Sequence, residues 1–457
     1  MIKTSSETMF DTSARSQKIA IIGTGISGLS AAYLLSKDYN IKLYEKSHTG
    51  GHSHSVNVGD TDHPIFIDMG FIVFNEACYP NLVALFNHLH IDHDLADMSF
   101  GVSMNEGELE YSSLNLFAQK RNLLRPRFLT LLSDIMRFYK CAPIDSEAVT
   151  TGDYRLGDYL TDQNYSQTFI EDHLLPQAAA IWSTSALLIM DYPLKAFIAF
   201  FKNHGLLELD VKKRIPWRSV RGGAQAYLSA LTQGFKDKIS SKGAVRVNRT
   251  SNSVIITDSE GHEETFDQVI MACHADEAHA LLQDKDEAEN TILSSFRYTM
   301  NDVVLHTDDQ LMPKRRSAWS SWNYIGRSGQ DDKMLCVTYW MNRLQTLDTK
   351  KDYFVTLNPI TPIAPSKIIK QIEFHHPLFN AASLRAQNEL HRLQGQRNTW
   401  FCGAYFGSGF HEDGLQSGLA VAEALSGLKR PWSFDQAQAR ISYRSDLSPT
   451  SEALAAQ

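Results

Sequence analysis

The chain has 457 residues, 43% of them hydrophobic, and a formal net charge of −8, so it is long enough for two or three domains around a sizeable core. The acidic balance excludes a protein that binds nucleic acid or anionic lipid through its global charge, and any basic surface must be local. The five cysteines have no metal-type spacing, so neither zinc nor disulfides are expected.

Both ends of the sequence are small and polar. Residues 1–17 lack the basic and apolar regions of a signal peptide and are predicted to be disordered, and residues 446–457 are predicted to be a flexible tail. No apolar run reaches the roughly 18 residues of a membrane span. We therefore expect a cytoplasmic protein, either soluble or peripheral on the inner face of the cell membrane.

The first predicted elements form a βαβ unit. An apolar strand over residues 19–22 leads into the glycine turn GTGISG at residues 23–28, and a helical run follows. A second strand over residues 41–44 ends at an acid, Glu45. Strand, glycines, helix, strand and acid in this order are typical of a dinucleotide site. A glycine turn without a ligand is the alternative.

Each position of the glycine turn has an expected function. Gly23 permits the tight turn after the strand, Gly25 lets a pyrophosphate approach the backbone, and Gly28 lets helix and strand pack closely. Ile26 and Ser27 begin the helix, so the phosphates would meet its N-terminus.

The acid narrows the choice of dinucleotide. The carboxylate of Glu45 can hydrogen-bond both hydroxyls of an adenosine ribose, and it disfavours the 2′-phosphate of NADP. Lys46 follows, then a second glycine pair at Gly50 and Gly51, and then His52.

The region up to residue 215 is mainly helical in pattern. Helical spacing after a proline predicts a helix over residues 79–90, and strand-like pieces at residues 99–105 and 108–111 predict a hairpin. Residues 193–207 predict an apolar helix that ends at His204. His204 is a candidate catalytic acid or base, although a residue before a helix-ending glycine is more often a C-terminal cap.

Residues 114–139 are locally basic within this acidic protein. Arg121, Arg125 and Arg127 interleave with apolar residues, and Pro126 divides the stretch into two helices. An apolar face with a cationic rim is what a membrane-surface helix needs, so this stretch predicts peripheral contact with a lipid surface. The alternative is an amphipathic helix packed on its own domain with a solvated charged face.

Further strands follow in the second half of the chain. A first set, with turn residues between its members, is expected in additional sheet at residues 244–247, 254–257 and 268–272. A second set, rich in β-branched and aromatic residues, is expected at residues 320–324, 334–340 and 354–357. The aromatic side chains of the second set either line an apolar pocket or form the core of a sheet.

Several segments together resemble the flavin amine oxidase and phytoene desaturase superfamily. Glu45 with the glycine pair and His52 resembles its E-x(4–5)-G-G-[RH] hallmark, and residues 66–71 (FIDMGF) resemble its segment beside the isoalloxazine. Residues 217–228 resemble its returning G-G segment, and residues 399–420 its closing flavin motif. The resemblance implies noncovalent FAD, because no cysteine is placed for covalent attachment.

The resemblance also implies a set of FAD-binding residues beyond the first turn. Their positions in this sequence are Glu45, Lys46, Gly51, His52, Gly70, Phe71, Gly403, Asp413, Gly414 and Leu415. In the superfamily the corner at residues 410–413 lies at a helix N-terminus whose N–H groups stabilise negative charge on the reduced flavin. Asp413 is the expected N-cap, and His411 and Glu412 are candidates for proton transfer.

More closely, the chain after residue 17 resembles a bacterial family of NAD/FAD-binding, amine oxidase-like proteins, through segments such as FNHLHI, RNLLRPRF and FFKNHGLL. Members commonly accompany lipid methyltransferases, and some are implicated in desaturating methylated fatty-acyl chains. Departures from the amine oxidases proper count against an amine substrate, because His52 replaces their arginine and Tyr405-Phe406 replaces their usual residues.

The expected fold is α/β: a Rossmann-like FAD-binding domain of the glutathione-reductase and amine oxidase type with an inserted α+β substrate domain. The FAD domain would comprise residues 18–75, 216–290 and 386–445. Residues 76–215 would form a mainly helical insertion facing substrate or membrane, and residues 291–385 the sheet of the substrate domain.

The expected activity is that of an FAD-dependent oxidoreductase acting on an unsaturated or methylated acyl chain. Hydride transfer from an activated carbon to flavin N5, with loss of a neighbouring proton, would introduce a double bond, and a redox-neutral shift of a double bond needs the same site. A flavin amine oxidase acting on a small amine and a noncatalytic FAD-binding partner of lipid-modifying enzymes are the alternatives. A lipid methyltransferase is the expected functional partner, and no nucleic acid or metal is expected.

Overall fold

The structure is a computed structural model. It describes residues 17–149, 154–182, 186–210, 213–327 and 336–435, with residues 439 and 441. The predicted disordered N-terminus, apart from residue 17, and the predicted flexible tail lie outside the described residues.

The elements alternate between strands and helices along the chain. The strands are β1 Lys18–Ile22, β2 Asn40–Tyr44, β3 Ser55–Asn57, β4 Phe66–Asp68, β5 Phe74–Asn75, β6 His93–Ala96, β7 Phe100–Met104, β8 Leu109–Ser112, β9 Trp217–Val220, β10 Ile239–Ser240, β11 Ala244–Arg249, β12 Val254–Asp258, β13 Glu263–Phe266, β14 Gln268–Met271, β15 Arg297–His306, β16 Trp322–Gly326, β17 Cys336–Trp340, β18 Phe354–Leu357, β19 Ile368–Leu378 and β20 Thr399–Phe401. The helices are α1 Ile26–Leu35, α2 Pro80–Leu89, α3 Pro126–Ala148, α4 Leu156–Asp162, α5 Gln167–Phe169, α6 Leu175–Trp182, α7 Ala186–Met190, α8 Leu194–Asn203, α9 Ala224–Thr232, α10 Ala275–Leu281, α11 Glu287–Leu293, α12 Met341–Leu344, α13 Ala381–Glu389 and α14 His411–Ser426.

A five-stranded parallel sheet has the order β10-β2-β1-β14-β20. Alternate residues of β1 enter different cores: Ile19 and Ile21 belong to one apolar cluster, Ala20 and Ile22 to another. Burial on both faces explains why the strand is apolar throughout rather than alternating. The predicted βαβ unit is confirmed.

Helices α1 and α14 pack side by side on this sheet. A Cβ atom at Gly418 would overlap the carbonyl oxygen of Ser27, so only glycine allows the two backbones to approach this closely. The Ser30 hydroxyl donates to the carbonyl of Leu415 at 3.3 Å. The first and last segments of the predicted FAD-binding motif are therefore in direct contact.

A second, seven-stranded sheet has the order β19-β15-β18-β17-β16-β7-β8. The hairpin predicted within the helical region is present as β7 and β8, and β7 pairs in parallel with β16, with Phe100 opposite Trp322. Helices α3 to α8 cover this sheet through a core that includes Phe138, Trp182 and Phe197.

The basic stretch contains two helical segments, as expected from its proline. A 3₁₀ turn over Lys120–Leu124 ends before Pro126, which occupies the first turn of α3. None of the described helices is long and apolar enough to cross a membrane.

Candidate active site

A cavity of about 870 Å³ lies between the two sheets. Gly23, Glu45, Ala272 and Gly403 line it, and each lies just beyond the carboxyl end of a parallel strand. This is where an open α/β sheet binds its ligands. At its other end, aromatic side chains of the second sheet and the helices line the same cavity.

The sequence-predicted residues divide into two groups. Those that line the cavity are Gly23, Gly25, Ile26, Ser27, Glu45, Lys46, Gly51, His52, Gly70, Phe71, His204, Gly403, His411 and Gly414. Those that are not among its described lining residues are Gly28, Glu412, Asp413 and Leu415.

The first glycine turn opens towards the cavity. Gly23 has a φ of +103°, and a Cβ there would lie 2.7 Å from the carbonyl oxygen of Ala272. Beyond the turn, a Cβ at Gly25 would meet no atom within 4 Å. Gly25 is the N-cap of α1, so this open space lies at a helix N-terminus, which favours an anionic group.

Glu45 is held by the two loops that flank it. One carboxylate oxygen accepts from the backbone N–H of Thr24 at 3.1 Å, and the other from the N–H of Ser47 at 2.8 Å. Lys46 forms an ion pair with Glu277, which lines the same end of the cavity. These partners fix the carboxylate at the carboxyl end of β2.

His52 lies where the second glycine pair meets the segment of Gly70. Its ring stacks on Phe374 with centroids 4.6 Å apart, and its Nε2 has no hydrogen-bond partner among the described residues. Burial, and then the neighbouring His376 and His274, hold the pKa of His52 well below its ordinary value. His52 is therefore a neutral side chain with an unsatisfied ring nitrogen.

The closing corner differs from the expected arrangement at its cap. Helix α14 begins at His411 with Phe410 as N-cap, so the prediction of Asp413 as N-cap is wrong. Asp413 is the third helical residue, and its carboxylate accepts from the N–H of Phe410 at 2.9 Å. The helix starts earlier because this side chain satisfies the N–H of the cap residue from within the first turn.

Glu412 points away from the cavity. Its carboxylate accepts from the backbone N–H groups of Asn81 at 3.0 Å and Leu82 at 2.9 Å, which are the first turn of α2. It also accepts from Gln416 at 2.8 Å. These contacts make Glu412 the anionic cap of a neighbouring helix, and we propose this structural function in place of proton transfer.

His411 lines the cavity but is engaged by protein groups. Its ring stacks on Phe71 with centroids 4.0 Å apart, and its Nε2 lies 2.8 Å from the hydroxyl of Tyr227. Burial lowers the pKa of His411 to about 3. The side chain is therefore neutral at physiological pH.

His204 occupies the C-terminal cap position that the sequence favoured, and it also reaches the cavity. It is the C-cap of α8, where its Nδ1 donates to the carbonyl of Phe200 at 2.9 Å, and it lines the cavity. Its ring stacks on Phe200 with centroids 3.9 Å apart.

The second end of the cavity is an aromatic chamber, defined by the lining residues Trp182, Phe200, Trp217, Trp322, Tyr339 and Phe410. The indole N–H groups of Trp182 and Trp322 find no acceptor among the described residues. Predominantly apolar lining with a few polar atoms is typical of sites for small organic ligands.

Sequence reasoning missed three polar residues around the cavity. His274 and His376 line it, and Asn301 lies behind His376, 2.9 Å from its ring. The consecutive histidines at positions 375 and 376 were the available signal.

The chain matches one protein family model, described as flavin containing amine oxidoreductase, over residues 26–343. None of the curated proteins compared with the chain matches it.

Solved structures of enzymes share the fold. They include a putrescine oxidase bound to putrescine, with 10% identity and a TM-score of 0.62, covering 90% of this chain and 99% of that one. A cyclohexylamine oxidase from Brevibacterium oxydans IH-35A has 13% identity and a TM-score of 0.62, with coverage of 90% and 99%. A CLA-producing fatty acid isomerase from P. acnes has 15% identity and a TM-score of 0.57, with coverage of 90% and 98%. Identities this low establish the likeness of fold alone.

Proposed function

Since the chain belongs to the flavin-containing amine oxidoreductase family and is an FAD-dependent oxidoreductase, we propose that its substrate is an unsaturated or methylated fatty-acyl chain of a lipid, in which it introduces or shifts a double bond. The observation that carries this proposal is the aromatic chamber, which belongs to the same cavity as the end lined by Gly25, Glu45 and Gly51, here called the dinucleotide end. An elongated apolar group can enter such a chamber without leaving buried charge unpaired.

The residues of the dinucleotide end fit FAD. The open space beside Gly25 and the N-terminus of α1 suit the phosphates, and the carboxylate of Glu45 suits the ribose hydroxyls. The unsatisfied Nε2 of His52 offers a ring nitrogen to a polar group of the cofactor. The residues that would hold FAD are therefore the cavity-lining members of the predicted set.

Bound FAD supplies a hydride acceptor. The protein's own residues orient the substrate and exclude water: Trp182, Phe200 and Trp322 enclose the chamber with apolar surface. Because a neutral His411 is already hydrogen-bonded to Tyr227, we assign it to packing beside Phe71 rather than to proton transfer.

The fold neighbours are compatible with more than one substrate class. One of them is a fatty acid isomerase and others are amine oxidases, so the fold accommodates both acyl chains and amines. Aromatic rings also attract an ammonium group through cation–π contacts, so what favours the acyl chain is that none of the six residues that define the chamber is an anion that could pair with an amine.

Anaerobic mixing of the FAD-loaded enzyme with lipids and with amines tests the substrate class. Dehydrogenation should bleach the flavin with unsaturated or methylated acyl phospholipids, and a bond shift should appear as a moved double bond in the recovered lipid without bleaching. Reduction by putrescine or cyclohexylamine alone would identify an amine oxidase instead. No reaction with any of these compounds would favour a noncatalytic partner.

A variant that fills the chamber tests whether the acyl chain binds there. Ala180 is buried and lines the cavity, so Ala180→Phe places a ring where the acyl chain is expected. FAD binding should persist, as judged by the flavin absorption spectrum, while the reaction with lipid falls by at least tenfold. Unchanged lipid turnover in this variant would place the substrate elsewhere.

We further propose that the basic stretch contacts a lipid surface. Leu123 and Leu124 are 51% and 87% exposed, and Arg121 and Arg125 lie beside them, with both guanidinium groups donating to the carbonyl of Glu108. Exposed leucines beside cations suit an anionic bilayer because apolar burial and charge attraction add.

Liposome sedimentation tests this contact. Replacing Arg121 and Arg125 with Glu, or Leu123 and Leu124 with Ser, should reduce association with anionic vesicles, whereas Leu95→Ser, at an exposed leucine outside the stretch, should not. Arg127 is a poor probe because it forms an ion pair at 2.9 Å with the buried Asp172. Equal association of all variants with the vesicles would mean that the charged and apolar residues of the stretch contact solvent and not the lipid surface.

A further inference from the structure

A chain of hydrogen bonds behind the cavity begins at a group that can only donate. The backbone N–H of Asp302 donates to Oδ1 of Asn358 at 3.0 Å. Since this end of the Asn358 amide must be its oxygen, the other end is the NH₂ group, which donates to Oδ1 of Asn301 at 2.8 Å. The orientation of both amides is therefore fixed by the backbone.

The next link reaches a histidine of the cavity wall. With its oxygen facing Asn358, Asn301 directs its NH₂ group to the carbonyl of Thr299 at 3.2 Å and to Nδ1 of His376 at 2.9 Å. The Thr299 carbonyl can only accept, which requires the same orientation. Nδ1 of His376 therefore accepts, and a neutral imidazole must carry its proton on Nε2.

The surrounding sheet makes this arrangement rigid. Asn301 is fully buried in β15, between β18 and β19. Asn358 follows β18 with a φ of +50°, a conformation that asparagine tolerates better than most residues, and its own N–H donates to the carbonyl of Asp302 at 2.8 Å. The amide of Asn358 is thus held against the peptide that orients it.

His376 belongs to the cavity wall. It lines the cavity beside His52, with ring centroids 5.3 Å apart, and no described residue accepts a hydrogen bond from its Nε2. Burial, followed by the nearby His274 and His375, lowers the pKa of His376 to about 4. The ring is therefore uncharged at neutral pH.

We propose that His376 is a fixed, neutral hydrogen-bond donor to the group bound in the cavity, and that Asn301 and Asn358 are positioning residues that set its tautomer. Its partner must offer a lone pair, as a ring nitrogen or a carbonyl oxygen does. Both the isoalloxazine of FAD and the acyl carbonyl of a lipid offer such atoms, whereas an ammonium group cannot accept from Nε2–H.

Nitrogen-15 NMR of the histidine-labelled, FAD-loaded enzyme at neutral pH tests the tautomer directly. Protonated and unprotonated ring nitrogens differ widely in chemical shift, and the signals of His376 are those lost in His376→Gln. We expect a proton on Nε2 and none on Nδ1. A proton on Nδ1, or an imidazolium, would overturn the assignment.

Two variants separate positioning from general stability. Asn301→Asp replaces the donor with an acceptor, so His376 should reverse its tautomer and protonate Nδ1. Asn358→Gly suits the positive φ but removes one of the two groups that orient Asn301 and leaves only the Thr299 carbonyl, so a minor Nδ1–H form should appear beside the Nε2–H form. An unchanged Nε2–H signal in folded samples of both variants would show that the two asparagines do not set the tautomer.

The same spectra identify the acceptor. A slowly exchanging Nε2–H signal in the FAD-loaded enzyme, unaltered by vesicles of dioleoylphosphatidylglycerol, would assign the acceptor to the flavin, and the flavin midpoint potential should then fall in His376→Leu but not in His376→Gln. A signal that becomes protected only when the vesicles are added would assign it to the acyl carbonyl. Rapid exchange under both conditions would overturn the donor role.

Discussion

Two buried glutamates of this protein have different hydrogen-bond donors, and we propose that their functions differ for that reason. The carboxylate of Glu45 accepts hydrogen bonds from the backbone N–H groups of Thr24 and Ser47, which belong to the loops around the dinucleotide end of the cavity. The carboxylate of Glu412 accepts hydrogen bonds from the backbone N–H groups of Asn81 and Leu82 in the first turn of α2. The sequence placed both residues in the predicted site, and only the structure shows that Glu45 lines the cavity whereas Glu412 contacts the first turn of α2.

Glu45→Gln should weaken FAD binding. Hydrogen bonds to a charged group contribute about 1.5–3 kcal/mol each, so we expect the dissociation constant for FAD to rise by about tenfold or more. Quenching of FAD fluorescence during titration measures it. Glu263→Gln, at an exposed strand position, is the control, and equal affinities of the two variants would argue against ribose recognition by Glu45.

Glu412→Gln should act on stability rather than on chemistry. The helix N-terminus of α2 loses its buried anion, which is expected to lower the free energy of unfolding by about 2 kcal/mol. Urea denaturation measures this loss, and turnover per bound flavin should stay within about twofold of the parent enzyme. A collapse of turnover with unchanged stability would restore the proton-transfer hypothesis.

At the scale of elements, the sequence predicted the local units and missed the long-range pairings. The βαβ unit and the hairpin β7–β8 follow from periodicity within short segments. The parallel pairing of β7 with β16 joins residues more than 200 positions apart, and no local pattern encodes such a register. Because the contacts of Asn301 and Asn358 with each other and with His376 also join separate strands, the sequence did not predict them.

The contact between α1 and α14 gives a prediction at this scale. Gly418→Ala would force a methyl group against the backbone of Ser27, and overpacking of this kind costs about 1–3 kcal/mol. Because the N-terminus of α1 lies at the dinucleotide end of the cavity, FAD affinity should fall together with thermal stability. Gly234→Ala, where a Cβ would meet nothing within 4 Å, should change neither quantity.

At the scale of the whole molecule, burial keeps several histidines neutral. His306 is fully buried, accepts from the N–H of Asp308 at 3.1 Å and lies 2.7 Å from the hydroxyl of Thr356. Burial lowers the pKa of His306 to about 4, and the same cause lowers the pKa of His173 to about 4. Composition alone could not indicate this, because a histidine count does not reveal which rings are buried.

The lowered pKa values make the fold sensitive to acid. The unfolded chain takes up protons on these histidines near pH 6.5, whereas the folded protein does so only near pH 4, so the free energy of unfolding should fall between these values and then level off. For His306 alone the loss is on the order of 3 kcal/mol. Urea denaturation across this range should show a smaller loss in His306→Gln, and identical pH profiles would contradict it.

The proposed combination of an FAD site with a chamber for an acyl chain is tested most directly by comparing the lipids of cells with and without the gene. The expected result is that deletion leaves acyl chains that lack one double bond, or carry it at another position, and that the intact gene restores the product while the Ala180→Phe variant does not. Identical acyl chains in both strains, with an amine accumulating in the deletion strain, would contradict it.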